Sequence, residues 1–181
     1  MIDAQRRSPP PEALAWVAEV RGPGTTIRSV RRMLGGIGTA VHRITVTTRS
    51  GARTTVVLRR WVDGPGRDNA AIAAQHVVHE QLALELLEPS SVPAPRVLAV
   101  DPDGAHTGTP TLLMTRLPGA VHLAPRDLNS WVRAMADTLH DIHSLDPDVR
   151  IPAFTPRDVT RTPPEDSSLS LIHISEPTRP Y

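Results

Sequence analysis

Residues Val41–Thr48 read VHRITVTT, crowded with β-branched side chains, and Ile44 and Val46 fall on one side of an extended chain. Thr54–Val62 (TTVVLRRWV) resumes the pattern after a Ser50-Gly51 turn. Thr25–Leu34 is more mixed but leans to strand, and Gly35-Gly36-Ile37-Gly38 interrupts it before Val41. Together the three segments predict an antiparallel meander with a glycine-rich loop between its first two strands. Helical spacing appears in three other places. Leu14, Val17 and Ala18 share a face within Glu12–Val20, which Gly22-Pro23-Gly24 stops. Asn69–Leu87 is long and Ala-rich and ends at Pro89-Ser90-Ser91. In Leu128–His143, residues Leu128, Trp131, Val132, Met135, Leu139 and Ile142 recur at steps of three and four, with Asp127 placed to cap the start. Arg96–Val100 and Thr111–Leu117 complete the set as two further strands, the first followed by an Asp101-Pro102-Asp103-Gly104 turn.

The order is helix, three strands, helix, two strands, helix. It predicts an α+β fold, a five-stranded antiparallel sheet with a helix inserted after the third strand. Residues 1–11 end in three prolines and read as a disordered lead-in. Residues 146–168 hold five prolines and little periodicity. At 181 residues, one domain or one and part of another is expected, with enough chain for a core.

Composition narrows the function classes. The net charge of +1 argues against a dedicated nucleic-acid binder. Cysteine is absent, which removes disulfides and zinc–thiolate sites. No apolar run reaches the length of about 20 residues that a membrane helix needs, and the first residues lack a signal peptide's apolar centre. A cytoplasmic protein without membrane partners is expected. All 20 basic residues are arginine, a mark of a G/C-rich gene rather than of function.

Three features carry candidate chemistry. Glycine at 35, 36 and 38 lets backbone N–H groups approach a polyphosphate closely, although an ordinary hairpin turn has the same composition. Arg59 lies mid-strand in an apolar run, where a cation needs a partner or a cleft; a side chain reaching past a sheet edge is the bland alternative. Alternation sends Arg60 to the opposite sheet face. Val77, Leu84 and Leu87 stand −3, +4 and +7 from Glu80, so its carboxylate lies on an apolar helix face and calls for a partner. Other signals carry less. His76 and His79 are one turn apart but do not form H-E-x-x-H, and Asp101 and Asp103 begin a calcium-loop spacing that nothing completes.

The stretches LGGIGTAVHRI (34–44), TVVLRRW (55–61), VHEQLALELL (78–87), VPAPRVLAVD (92–101), TLLMTRLPG (111–119) and LHDIHSLD (139–146) resemble, in order and spacing, the front half of the aminoglycoside phosphotransferase and choline-kinase-like family. These are small-molecule relatives of the protein kinases, and the resemblance covers about residues 12–150. It implies a kinase-like N-lobe over residues 12–120 and the start of a helical C-lobe over 121–150, with a loop at 151–168. It also implies ATP or GTP as cofactor, with Mg²⁺, and a small-molecule acceptor. On this resemblance Arg59 takes the place of the strand lysine that holds the phosphates, Glu80 pairs with it, and Gly35, Gly36 and Gly38 cover the phosphates. Met114, Thr115 and Leu117 would form the hinge that holds the base, Thr115 and Leu117 through backbone groups.

The same family uses an H-G-D-x-x-x-x-N catalytic loop and a later metal-binding Asp, and neither occurs in the 181 residues. No catalytic residue and no metal ligand is therefore assigned. Leu169–Arg179 (LSLIHISEPTR) matches, residue for residue, the translation of a transposase-based sequencing adapter, so 169–181 reads as an artefact joined to a longer gene. The expectation is an ATP-dependent phosphotransferase fragment without turnover. The alternative is a noncatalytic nucleotide-binding or protein-interaction module.

Overall fold

The computed structural model describes residues 8–33, 39–62, 70–119 and 124–146. All lie within Met1–Ile151, the first of two units; Pro152–Tyr181 form the second. Gly35, Gly36 and Gly38, most of the lead-in, and the adapter-like segment lie outside the described residues.

Helix α1 (Pro11–Val20) opens the fold, with proline at its first position, where the missing N–H costs nothing. Strands β1 (Thr26–Met33), β2 (Ala40–Thr47) and β3 (Arg53–Arg60) form the expected antiparallel meander. Helix α2 (Ala70–Leu87) follows, then β4 (Val97–Asp101) and β5 (Thr111–Thr115). β5 inserts between β3 and β4, which gives the order β1-β2-β3-β5-β4, antiparallel throughout. Helix α3 (Leu128–His143) closes the described chain. Observed bounds differ from the expected ones by one or two residues, as is usual at frayed ends. β4 is displaced by one residue and takes in Asp101, and β5 stops at Thr115, leaving Arg116 and Leu117 beyond the sheet.

Strand alternation divides the core in two. On one face Ile44, Val46, Val56, Leu58 and Leu113 meet Ala13, Trp16 and Val17 of α1. On the other, Val57, Leu112 and Met114 meet Val77 of α2, with Val41, Trp61 and Leu84 around them. Leu58, Leu112 and Leu113 are fully buried at the centre of the sheet. Truncating one of them to alanine should cost about 2–5 kcal/mol. The centre of the core thus lies where β3 and β5 run side by side, and β3 carries Arg59.

The β4–β5 hairpin is braced by a buried acid. Asp101 Oδ2 accepts from the His106 N–H (3.0 Å), the Thr107 N–H (2.8 Å) and the Thr107 hydroxyl (2.8 Å). The Thr111 hydroxyl donates to the Thr109 carbonyl at 2.7 Å. The calcium-like spacing of Asp101 and Asp103 is therefore a loop brace at its first residue. Gly104 sits at φ +73°, and a Cβ there would lie 2.7 Å from the Thr109 backbone nitrogen, so only glycine fits.

Asp127 caps α3 as expected: Oδ1 accepts the Ser130 N–H at 3.0 Å and Oδ2 the Ser130 hydroxyl at 2.6 Å. These bonds, the hydroxyl first, hold the Asp127 carboxyl below the ordinary aspartate range. The apolar stripe of α3 is uncovered, with Leu128, Val132, Met135 and Leu139 each at least half exposed.

Candidate functional site

The site is built on β3. Arg59 lies between Val41 of β2 and Leu112 of β5, on the sheet face that α2 partly covers. Its Nη1 donates to Glu80 Oε1 at 2.9 Å. The two side chains expected to pair are therefore brought together from a strand and a helix 21 residues apart. They are 34% and 24% exposed, at the edge of the core rather than inside it.

A third group holds the arginine. The Arg59 guanidinium carbon lies 4.9 Å from the centroid of the Trp61 ring, a cation–π contact. Nothing in the sequence reading assigns Trp61. The available signal was its position two residues after Arg59, which puts both on one face of an extended chain. With Glu80 at one nitrogen and Trp61 against the plane, the guanidinium is fixed in direction. An arginine has five N–H donors. Among the described residues Arg59 donates one hydrogen bond, and its buried Nε has no hydrogen-bond partner.

Beside Arg59 the same face is apolar. Val57 and Met114 are opposed across β3 and β5, 8% and 7% exposed, and Val41 flanks them. Met114 thus forms part of an apolar floor one step along the sheet from the cation. Thr115, the next residue, is tied back to β4: its N–H donates to the Arg96 carbonyl at 2.9 Å, and its hydroxyl accepts the Arg96 N–H at 2.8 Å. Leu117 is 40% exposed on the segment leaving the sheet. Among the described residues no group of three or more His, Asp or Glu side chains is placed to hold a metal ion.

Arg60 behaves differently from its neighbour. It points to the α1 face and is 7% exposed. Burial lowers its pKa, and the nearby Glu12 carboxylate works against that shift. Two adjacent arginines thus serve separate faces, one anchored at the edge of the apolar floor, the other buried under α1.

An arginine held by a carboxylate and an indole, with donors left over beside an apolar floor, can grip an anionic group attached to a flat apolar one. Residues 30–170, well over half of the chain, match the phosphotransferase enzyme family, and the chain belongs to that family. Two solved structures are similar to it. One is a candidate aminoglycoside phosphotransferase from Ralstonia eutropha JMP134, with 20% identity and a TM-score of 0.47, covering 75% of this chain and 38% of that one. The other is a candidate fructosamine-3-kinase from Thermobifida fusca YX-ER1, with 21% identity and a TM-score of 0.42, covering 71% of this chain and 37% of that one. The chain therefore spans less than two-fifths of the length of either. No curated protein matches it.

Proposed function

We propose that this chain is the nucleotide-binding lobe of an ATP-dependent small-molecule phosphotransferase, a cytoplasmic enzyme whose acceptor is bound outside the residues described. The carrying observation is the Arg59–Glu80 pair at 2.9 Å beside the Val41, Val57 and Met114 floor. Arg59 binds nucleotide phosphate through the donors that Glu80 leaves over, and Glu80 and Trp61 fix its direction. Val57 and Met114 take one face of the base, with the backbone of Thr115 and Leu117 at its edge. Gly35, Gly36 and Gly38 fall in sequence between β1 and β2, and in this proposal their backbone N–H groups cover the phosphates.

Nucleotide held by Arg59 and the Val57 and Met114 floor would supply the γ-phosphoryl group, and Mg²⁺, with ligands outside the described residues, would neutralise its charge. Catalysis of this transfer is mostly positioning and electrostatics. The chain contributes positioning only. The 181 residues contain no H-G-D-x-x-x-x-N loop to orient an acceptor hydroxyl, so no turnover is expected from them. The reading of Leu169–Arg179 as adapter sequence belongs to the same proposal; sequencing the source DNA across the codons for Asp158 to Tyr181 tests it directly.

The binding test is titration of the purified chain with fluorescent ATP and GTP analogues. Arg59→Gln and Glu80→Gln should each weaken binding by about tenfold, the scale of one charge-assisted hydrogen bond. Unchanged affinity in both variants refutes the assignment of the pair. Sustained ADP release with an acceptor present refutes the absence of turnover. The second reading, a noncatalytic interaction module, is disfavoured by the uncovered stripe of α3, which in a lobe standing alone lacks its partner helices. A chain that binds no nucleotide yet is a cooperatively folded monomer would select that reading.

A further inference from the structure

A second cationic feature lies on the Arg59 face, toward the other end of the strands. Sheet register sets it out in rows. Arg31 of β1 stands directly opposite Arg43 of β2, which stands opposite Val57. In the next row Ser29 faces Thr45, which faces Thr55. Ser29, Arg31, Arg43, Thr45 and Thr55, with Arg28, Arg53 and Arg116, line a shallow trough of about 540 Å³. Arg28 is steadied by its Nε, which donates to Thr47 Oγ1 at 3.0 Å. None of the residues lining the trough is acidic, and among the described residues none of its five arginines is in an ion pair.

A protective role explains part of this. Charges on an exposed edge strand prevent sheet-to-sheet pairing, and β1 is such an edge. That role covers Arg28 and Arg31. It does not cover Arg43, which is half-buried on the interior strand β2, or Arg53 on β3 and Arg116 past β5. Like charges directly opposed across two strands are destabilising, so the Arg31–Arg43 pair opposes folding unless an anion lies between them.

We infer that this trough is an anion site for a compact molecule carrying several phosphate groups, separate from the Arg59 site. Planar guanidinium forks bind phosphate oxygens bidentately, and the hydroxyls of Ser29, Thr45 and Thr55 add neutral donors between them. The lining has no aromatic ring on which a nucleic-acid base would stack and no apolar side chain to enter a bilayer. Arg43, opposite Val57, is the trough residue nearest Arg59, and Arg53 lies six residues along β3, roughly 20 Å at strand rise, so one triphosphate does not reach from Arg59 to the far end of the trough. The inference does not depend on the nucleotide-binding proposal.

The test is calorimetric titration of the full 181-residue chain with inorganic tripolyphosphate at near-physiological salt. The triple variant R31Q/R43Q/R53Q should lose about tenfold or more in affinity, and the same loss should appear in the Arg59→Gln background, where phosphate binding at Arg59 is removed from the comparison. Loss confined to Arg59→Gln, or no loss in the triple variant, overturns the site. Citrate should bind at least tenfold more weakly than tripolyphosphate; equal binding overturns the preference for phosphate. Duplex DNA that binds more tightly, with the same loss in the triple variant, overturns the compact ligand in favour of nucleic acid. Arg43→Gln alone should melt at or above the parent temperature without ligand, because it relieves the opposed pair. A clearly lower midpoint makes Arg43 a structural support and also overturns the inference.

Discussion

Replacing Asp101 by alanine removes one acceptor oxygen and leaves three donors to be rehoused. The Thr107 hydroxyl is the easiest, since the Thr109 carbonyl already lies 2.8 Å from it. The Thr107 N–H is buried and finds no substitute, a loss of about 1–3 kcal/mol. The His106 N–H is only partly buried and reaches water, so its loss is nearer 0.5–1.5 kcal/mol, about the net worth of one hydrogen bond. The sum is about 2–4 kcal/mol. A chain of this length loses roughly 2–4 °C of melting temperature per kcal/mol. Asp101→Ala should therefore melt roughly 5–15 °C below the parent in a circular-dichroism scan. Asp101→Asn keeps a carbonyl oxygen in place and loses mainly the charge, so it should fall only about 1 kcal/mol short. An Asp101→Ala chain within about 0.5 kcal/mol of the parent would refute the brace. So would an Asn variant as damaged as the Ala variant.

Gly104→Ala places a methyl group 2.7–2.8 Å from three Thr109 backbone atoms at positive φ, so urea denaturation should show a loss of about 2 kcal/mol or more. The pH response of α3 follows from Asp127. Its folded pKa is depressed, so its capping contribution is present above the ordinary aspartate pKa and fades as pH falls through the lower folded value. Ellipticity at 222 nm should therefore drop on acidification below the aspartate range, less steeply in Asp127→Ala. Met135 and Leu139 are 54% and 52% exposed on the α3 stripe, so changing both to glutamate should reduce self-association, read by light scattering, without lowering the sheet's melting temperature.

The meander was legible because β2 alternates buried and half-buried residues at every step, the two-residue period that its sequence carries. β1 was harder to read. It is a sheet edge exposed at six of its eight positions, so no apolar rhythm marks it. Helix α2 was legible from alanine content rather than amphipathicity, since only Val77 and Leu82 are buried along it. The Arg59–Glu80 pairing followed from family resemblance; the residues alone required only that each have a partner. The bracing role of Asp101 was not legible because its partners, His106 and Thr107, come from the loop it organises and meet it only once that loop is closed. The arginine trough left no sequence signal at all. Each arginine alone reads as a solvated surface residue, and only the register of three strands puts Arg31, Arg43 and Arg53 on one face.

The three tryptophans fall in three separate environments. Trp16 is 7% exposed in the core under α1, Trp61 lies against the Arg59 guanidinium, and Trp131 is 41% exposed on α3. The described residues therefore carry one emitter in the α1 core, one at Arg59 and one on α3. Trp16 should emit at short wavelength and shift only when the sheet opens. Trp131 already sits partly in water and should respond to whatever covers α3. Trp61 senses the cation beside it, so an anion arriving at Arg59 changes its local field without moving the other two. Variants that each keep a single tryptophan would let binding, association and unfolding be followed separately, with no label added.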